Sequence, residues 1–255
     1  MVKYYQQFLD LGCFQLSDAT KIVGNENTAK SLLKYYCQKG YVSQVKKNLY
    51  VVMDIVAKAP LLNKYNIASA LADDAFVSCR SAFEYYGYTN QVIYDIWVTS
   101  AKRFRDFEFD GYRYHRLTPT ITGGIKTIRG VKVTDEERTF IDNINTLDQL
   151  IGLEELLNCL SSGTALKEEK LICYLQAYGK QFLYQKVGLL MKRFQQQLNL
   201  SDGFFKLCKD KAGKSSRYLT KNISKNHLAY SSEWRLTYPD YIWTYLNGGT
   251  EDANI

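Results

Sequence analysis

The stretch that decides the fold runs from Asn25 to Val52 and reads NENTAKSLLKYYCQKGYVSQVKKNLYVV. Four apolar residues recur in its first half at the spacing i, i+3, i+4 and i+7: Ala29, Leu32, Leu33 and Tyr36. That spacing predicts a helix over residues 26–38 with one buried face and with Asn25 as its N-cap. The second half alternates like two β-strands around the basic turn Lys46-Lys47-Asn48, and it predicts a β-hairpin.

Two shorter helices are predicted before this stretch. Residues 3–11 carry an apolar stripe of Tyr4, Phe8 and Leu11 at helical spacing. Ser17 is a suitable N-cap for a helix over residues 18–23, and Gly24 supplies the positive φ of a tight corner between helices. Three helices followed by a basic hairpin is the order of elements in a winged helix-turn-helix, so we predict a DNA-binding domain of this kind over residues 1–58.

The polar face of the predicted third helix carries the chemistry that recognises double-stranded DNA. Amides, hydroxyls and ammonium groups can contact base edges and phosphates in a major groove, and a lysine-tipped hairpin can contact phosphates beside it. The predicted DNA-binding residues are Asn25, Asn27, Thr28, Lys30, Ser31, Lys34, Gln44, Lys46, Lys47 and Asn48. A small helical cap with a hairpin that contacts no nucleic acid is the structural alternative.

The charge of the chain is concentrated at its two ends. The net charge is +7, while residues 1–52 hold seven lysines against three acidic residues, and residues 186–228 hold ten basic residues against two acidic ones. The middle is therefore slightly acidic, and two basic ends favour a polyanionic partner such as nucleic acid. Charge that serves solubility alone is the other explanation.

A second basic surface is predicted in residues 201–228, where Phe204, Phe205, Tyr218 and Tyr230 interleave with cations. Its basic residues are Lys206, Lys209, Lys211, Lys214, Arg217, Lys221 and Lys225. Basic residues among aromatic ones can follow a phosphate backbone, form a solvated amphipathic face, or contact a protein partner. The sequence leaves these three open.

The rest of the chain predicts an α+β domain over residues 59–246, with a small, mostly antiparallel sheet and a helical C-terminal half. Asp110-Gly111 between alternating runs indicates a hairpin. Thr134 and Glu137 have the spacing of a capping box. Helical patterns follow over residues 135–146, 150–161, 168–178 and 180–198. Residues 247–255 are rich in polar and small residues and predict a frayed tail.

Little in the sequence points to catalysis. The chain lacks a phosphate-binding loop, a dinucleotide fingerprint and a G-x-S-x-G elbow, and its six cysteines are at least fourteen residues apart. We therefore expect no enzyme activity, no cofactor and no metal site. Glu136, Glu137, Arg138 and Asp142 are interpreted as capping and surface pairing, His115 as an ordinary sheet residue, and the cysteines as buried thiols.

The expected location is the cytoplasm, without a membrane partner. No run approaches 18 apolar residues, and the first residues turn polar at once, without the apolar core of a signal peptide.

The order of motifs over roughly residues 1–195 resembles the AbiEi-like antitoxins, regulators of bacterial abortive-infection operons that defend against phage. The likeness rests on the predicted winged helix ending in residues 40–52, on residues 67–69 (IAS), on residues 76–87 (FVSCRSAFEYYG), on residues 131–142 (VKVTDEERTFID) and on the helical segment near Gly152-Leu153.

This resemblance implies an antitoxin that represses its own promoter and counteracts a nucleotidyltransferase-like toxin encoded beside it. Members of the family resemble dimeric or multimeric repressors that bind inverted repeats, so a homodimer on DNA is the expected assembly. A tight complex with the toxin is not required. Residues 201–255 match no pattern of the family, so no role is transferred to them.

Two other classes of function remain open from the sequence. A protein-interaction module could use a repurposed winged helix to bind and neutralise a partner directly. An enzyme that modifies RNA or nucleotides would depend on Glu137 or Asp142. The first would give a stable complex without DNA, and the second would lose its activity on alanine substitution at either residue.

Overall fold

The computed structural model describes residues 3–221 and 227–244 of the 255-residue chain. They divide into two compact units. The first unit comprises Met1–Val77, Ile93–Pro119 and Lys126–Val133, and the second comprises Ser78–Val92, Thr120–Ile125 and Thr134–Ile255. The predicted boundary between residues 58 and 59 lies inside the first unit, where Met53 and Asp54 pair with Pro60 and Ala59 across it.

The described residues form an α+β fold. The helices are α1 (Tyr5–Leu11), α2 (Leu16–Val23), α3 (Glu26–Gln38), α4 (Lys64–Ala70), α5 (Cys79–Tyr86), α6 (Glu136–Asn145), α7 (Leu153–Ser161), α8 (Glu168–Tyr178), α9 (Gln181–Lys192) and α10 (Asp202–Lys211), with a 3₁₀ turn at Asp240–Trp243. The strands are β1 (Cys13–Gln15), β2 (Val42–Lys46), β3 (Leu49–Asp54), β4 (Ala59–Pro60), β5 (Phe76–Val77), β6 (Asp95–Thr99), β7 (Phe107–Phe109), β8 (Tyr112–Leu117), β9 (Ile125–Ile128), β10 (Val131–Thr134), β11 (Arg217–Tyr218), β12 (Leu228–Ser231) and β13 (Leu236–Pro239).

The first three helices pack on a small antiparallel sheet. Its strands lie in the order β1-β3-β2, and β4 extends the pairing of β3. Buried apolar residues join these helices to the sheet, and they include three members of the predicted stripe of α3: Ala29, Leu33 and Tyr36. Leu32, the fourth member, is only half-buried, and Leu11 of α1 is exposed.

The start of α2 differs from the prediction. Gln15 rather than Ser17 caps this helix, through a capping box with Asp18. The reason is the strand β1, which the sequence pattern did not indicate: Gln15 ends this strand opposite Leu49, and the next residue, Leu16, donates its backbone N–H to the carbonyl of Asn48. Pairing with β3 therefore determines where α2 begins.

The remainder of the first unit contains most of a six-stranded sheet in the order β7-β8-β6-β5-β10-β9. The sequence predicted a small, mostly antiparallel sheet, and this sheet is mixed, because β6 with β8 and β10 with β5 are parallel pairs. The antiparallel pairs include β5 with β6 and the hairpin of β7 with β8. That hairpin is the predicted one, and both of its turn residues, Asp110 and Gly111, have positive φ.

The second unit is built around α6, which packs against α5, α8 and α9. The predicted capping box at Thr134 is wrong: Asp135 is the N-cap and accepts a hydrogen bond from the backbone of Arg138. Thr134 ends β10, and its hydroxyl lies 2.7 Å from that of Thr139. The predicted helix over residues 180–198 ends at Lys192, where the backbone N–H groups of Phe194 and Gln195 bond to carbonyls three residues back.

The described residues beyond 200 form α10 and a three-stranded sheet in the order β11-β13-β12. This sheet contacts α9 at Gly188, against which the ring of Trp234 packs, and Gln185 donates hydrogen bonds to the carbonyls of Ser215 and Trp234. The predicted frayed tail, residues 247–255, lies outside the described residues.

Of the helices in the described residues, none has the length and apolar character needed to cross a membrane.

Candidate nucleic-acid interface

The corner between α2 and α3 begins the candidate interface. Gly24 has a φ of 85°, and its backbone N–H donates to the carbonyl of Thr20 at 2.8 Å. Asn25 then caps α3, since its side-chain oxygen accepts from the backbone N–H of Thr28 at 3.0 Å and lies 3.2 Å from the Thr28 hydroxyl. The predicted turn and cap are therefore present, and they orient α3 as it leaves the corner.

The outward face of α3 carries the predicted contact residues. All of those on this helix and at its cap are exposed: Asn25, Asn27, Thr28, Lys30, Ser31 and Lys34. Asn27, Lys30 or Ser31, and Lys34 are spaced by three or four residues, so they lie on one face of the helix. Lys30 also forms an ion pair with Glu26 one turn earlier, and this carboxylate lowers the positive charge of the surface around Lys30.

The hairpin between β2 and β3 presents only part of its predicted chemistry. Gln44, Lys47 and Asn48 are exposed, and Asn48 has the positive φ, 65°, of a tight turn. Lys46 is turned inward: its Nζ donates to the carbonyl of Leu71 at 2.8 Å and lies 4.8 Å from the centre of the Phe104 ring. Burial lowers the pKa of Lys46 below the usual lysine value.

The inward placement of Lys46 corrects the prediction of a tip with two lysines. The register between β2 and β3 shifts between Gln44 and Lys46, so a bulge at this point re-aims the side chains before the turn. Sequence alternation could not show the bulge, because it depends on pairing with β3. The candidate interface therefore consists of the outward face of α3 together with Gln44, Lys47 and Asn48.

The second predicted basic surface lies in the second unit. Its described cations are all exposed: Lys206, Lys209, Lys211, Lys214, Arg217 and Lys221. Lys225 lies outside the described residues. Two of the interleaved aromatic residues are not on this surface, since Phe204 and Phe205 are buried in the core of the unit. The other two, Tyr218 and Tyr230, are exposed.

The acidic residues of α6 form a buried network rather than the predicted surface pairs. Asp142 Oδ2 lies 3.4 Å from Arg138 Nε, and the side chains are only 5% and 3% exposed. Asp142 also accepts from the Tyr178 hydroxyl at 2.6 Å, while Arg138 donates to the carbonyls of Gly123 and Ile121. The prediction was wrong because helical spacing alone does not tell which face a second layer of helices covers.

The N-terminal turn of α6 is tied to α8 by the same network. Asp135 Oδ2 accepts from the Tyr174 hydroxyl at 2.7 Å and from Lys170 Nζ at 2.8 Å. Glu137, also buried, accepts from the backbone N–H of Lys167 at 3.1 Å and forms an ion pair with Lys170 at 3.4 Å. These carboxylates are hydrogen-bonded and paired, which is the arrangement of a structural network.

His115 is more than an ordinary sheet residue. Its Nδ1 lies 2.7 Å from Asp106 Oδ2 and its Nε2 lies 2.9 Å from Asp95 Oδ1, while its ring stacks on Trp97 at 4.5 Å. Burial alone lowers the pKa of His115, but the hydrogen bonds to the two aspartates and their negative charges outweigh it and raise the pKa above 6.5. The register of β6 with β8 brings these groups together, which the sequence alone could not show.

We expect this cluster to make the stability of the first unit depend on pH. A histidine with a raised folded-state pKa stabilises the fold fully below its unfolded pKa, near 6.5, and loses that stabilisation as the pH rises through the folded value. Urea denaturation at about pH 6 and pH 8 should therefore show a loss of stability at the higher pH. The loss should disappear in His115→Gln and persist in His227→Gln, whose side chain is exposed. Equal pH profiles for the parent and His115→Gln would contradict the assignment.

The cysteines are free thiols in varied surroundings. Cys79, Cys159 and Cys208 are buried as predicted, but Cys13 and Cys37 are half-buried and Cys173 is exposed. Burial raises the pKa of Cys159 and Cys208 to about 12. Within the part of the chain that the structure describes, no group of three or more histidine, cysteine, aspartate or glutamate side chains is placed to hold a metal ion.

Comparison with known proteins supports the fold only. No protein-family model matches the chain, and no curated protein matches it. The chain is similar to the crystal structure of the RV2827C protein from Mycobacterium tuberculosis, with a TM-score of 0.64, over 92% of this chain and 89% of that one. The sequences are 14% identical, so the likeness concerns the fold, and it extends over nearly the whole of both chains.

Proposed function

We propose that α1 to β3 form a winged helix-turn-helix that binds double-stranded DNA, and that the protein is an autorepressor acting as a bacterial antitoxin. The observation that carries the first part is the exposed face of α3 beyond the Gly24 corner, with Asn27, Lys30, Ser31 and Lys34 on one side of the helix. In a helix-turn-helix such a face enters the major groove, and a hairpin like that of β2 and β3 lies against the backbone beside it.

The antitoxin part of the proposal rests on the sequence resemblance to the AbiEi-like family. That resemblance implies an abortive-infection operon, a nucleotidyltransferase-like toxin as the counterpart, and inverted repeats at the protein's own promoter as the DNA site. Two half-sites related by a two-fold axis would be bound by a homodimer. The role proposed for the chain is binding and repression, without catalysis.

The proposal is tested by the variant Lys30→Ala/Lys34→Ala/Lys47→Ala in a band-shift titration on the DNA upstream of the gene. We expect weaker binding and a flatter salt dependence, since each lost phosphate contact removes about 0.9 from the slope of log affinity against log salt. Three lost contacts should lower the slope by about 2.7.

A matched control keeps the same change of net charge. The variant Lys102→Ala/Lys126→Ala/Lys167→Ala removes three exposed lysines outside the proposed interface and should bind DNA nearly as the parent does. Lys46→Ala should leave the salt slope unchanged, because the Lys46 ammonium is held by the Leu71 carbonyl. If the first triple variant shifts promoter DNA as well as the parent, the proposed surface is wrong.

A second candidate function is direct neutralisation of a protein partner by the same unit. It is favoured by the turn between β3 and β4, where Val56 is 93% exposed and Ile55 is 55% exposed. Asp54 holds this turn, as its carboxylate accepts from the backbone N–H groups of Val56 and Ala57. A stable complex with the product of the neighbouring gene, purified without DNA and lost on Ile55→Ser/Val56→Ser, would favour this candidate over repression.

A further inference from the structure

The solvent face of the three-stranded sheet in the second unit carries two exposed tyrosines in one row. Tyr218 on β11 and Tyr230 on β12 both pair with Thr237 on the central strand β13. Residues that are opposite each other in adjacent strands point to the same face of a sheet. The two rings therefore share one face, and their strands are about 10 Å apart, since neighbouring strands are separated by about 4.8 Å.

Both rings are available to a ligand. Tyr218 is 58% exposed and Tyr230 is 53% exposed, although large aromatic side chains are usually placed to bury most of their surface. The Tyr230 hydroxyl lies 2.9 Å from the Ser216 hydroxyl, which restrains that ring. The opposite face of the sheet packs inward through Leu236, so the outward direction of the tyrosines follows from the anchoring of the sheet.

Two exposed lysines flank the strand that carries Tyr218. Lys214 and Lys221 lie three residues before and after strand β11, and both are exposed. Arg217 is not part of this face, because it lies opposite Leu236 on β13, and Lys209 of α10 is ion-paired with Glu233. Cations beside aromatic rings suit a ligand that has a negative backbone and flat, stackable groups.

We propose that this sheet face binds single-stranded nucleic acid, with bases stacked on Tyr218 and Tyr230 and the phosphates near Lys214 and Lys221. A duplex hides the faces of its bases within the helix, whereas a single strand offers them to aromatic side chains. An acidic protein partner would match the charge but gives no reason for two solvent-facing rings in register. The surface is independent of the duplex-binding face proposed for α3, because the two lie in different units.

The test uses the full chain and fluorescence anisotropy with labelled oligothymidylate and oligouridylate of about twelve nucleotides, within the site sizes known for such surfaces. The parent should bind at least one of the two, and their comparison separates DNA from RNA. Tyr218→Ala/Tyr230→Ala should weaken binding by about 100-fold, at about tenfold for each lost stack. Tyr218→Phe/Tyr230→Phe should bind nearly as the parent, because the ring faces remain.

Two controls separate this proposal from the function proposed for α3. Tyr94→Ala removes an exposed tyrosine of the first unit and should leave oligonucleotide binding unchanged. The variant Lys30→Ala/Lys34→Ala/Lys47→Ala should keep single-strand binding while losing promoter binding. The proposal fails if the parent binds neither oligonucleotide, if the double alanine variant binds as the parent does, or if the phenylalanine variant is as weak as the alanine one.

Discussion

Arg138→Leu is expected to lower the free energy of unfolding by about 3–5 kcal/mol, the usual cost of removing one partner of a buried ion pair. The guanidinium lies between Asp142 and the carbonyls of Gly123 and Ile121, and all of these contacts are lost together. Leucine fills the volume but leaves a carboxylate without its cation. The measurement is urea denaturation of the full chain, followed by circular dichroism.

The loss should itself depend on pH. Burial is the main reason why the pKa of Asp142 is raised above the usual value, and Arg138 partly opposes this effect. Without Arg138 the pKa of Asp142 in the folded state is raised further, so the stability lost relative to the parent grows as the pH rises through the folded-state pKa of the parent's Asp142. Arg138→Leu should therefore be closer to the parent at pH 4.5 than at pH 7.

Two further variants test whether the loss of stability comes from the burial of the ion pair or from the loss of any ion pair. Arg113→Leu removes the exposed pair with Glu108 and should cost no more than about 1 kcal/mol. Arg138→Leu/Asp142→Leu removes both buried charges and should be more stable than Arg138→Leu alone. A double variant less stable than the single one would show that the pair is not the source of the effect.

Gly188→Ala is the second change with a large expected effect, a loss of about 2–4 kcal/mol. In an ordinary helix a change from glycine to alanine raises the free energy of unfolding by about 1 kcal/mol. Here we expect a change of the opposite sign. A Cβ at Gly188 would lie only 2.0–2.4 Å from atoms of the Trp234 ring. Trp234 is almost fully buried, and its ring must move away from α9 to admit one methyl group.

A double-mutant cycle tests whether Trp234 is the cause. In Gly188→Ala/Trp234→Leu the smaller side chain leaves room for the methyl group. The loss of stability in the double variant should therefore be smaller than the sum of the losses in the two single variants. Gly203→Ala on α10 is the matched control, because its Cβ would meet only the Ser201 hydroxyl oxygen at 3.4 Å. Chemical denaturation of the four proteins gives the coupling directly. Additive losses would exclude a clash between these two residues.

The local elements near the candidate interface were largely predictable. Helix α3 begins and ends where the sequence indicated, and Asn25 and Gly24 have the cap and the positive φ expected of them. These features depend on side chains within four residues of each other, so the local sequence contains the information. The exposure of Lys34 on α3 followed from helical spacing for the same reason.

The sequence-based predictions that were wrong depend on contacts between residues far apart in the chain. Lys46 turns inward because a carbonyl 25 residues later lies within its reach. Gln15 replaces Ser17 as a cap because β1 pairs with β3. Arg138 and Asp142 are buried because α8 and the segment before β9 cover that face of α6. None of these partners can be inferred from a local pattern, since each depends on how distant segments pack.

By itself, the sequence determined the positions of the main helices, the tight corner at Gly24, the Asp110-Gly111 hairpin and the basic character of both ends. The tertiary structure decided which cations face outward, which acids are buried in pairs, and that Tyr218 and Tyr230 stand in one row. The physical reason is the separation along the chain between the residues that stabilise each feature. Helix caps and turns are stabilised by neighbours in the chain, whereas burial and strand register depend on free energies shared among segments that meet only in the folded protein.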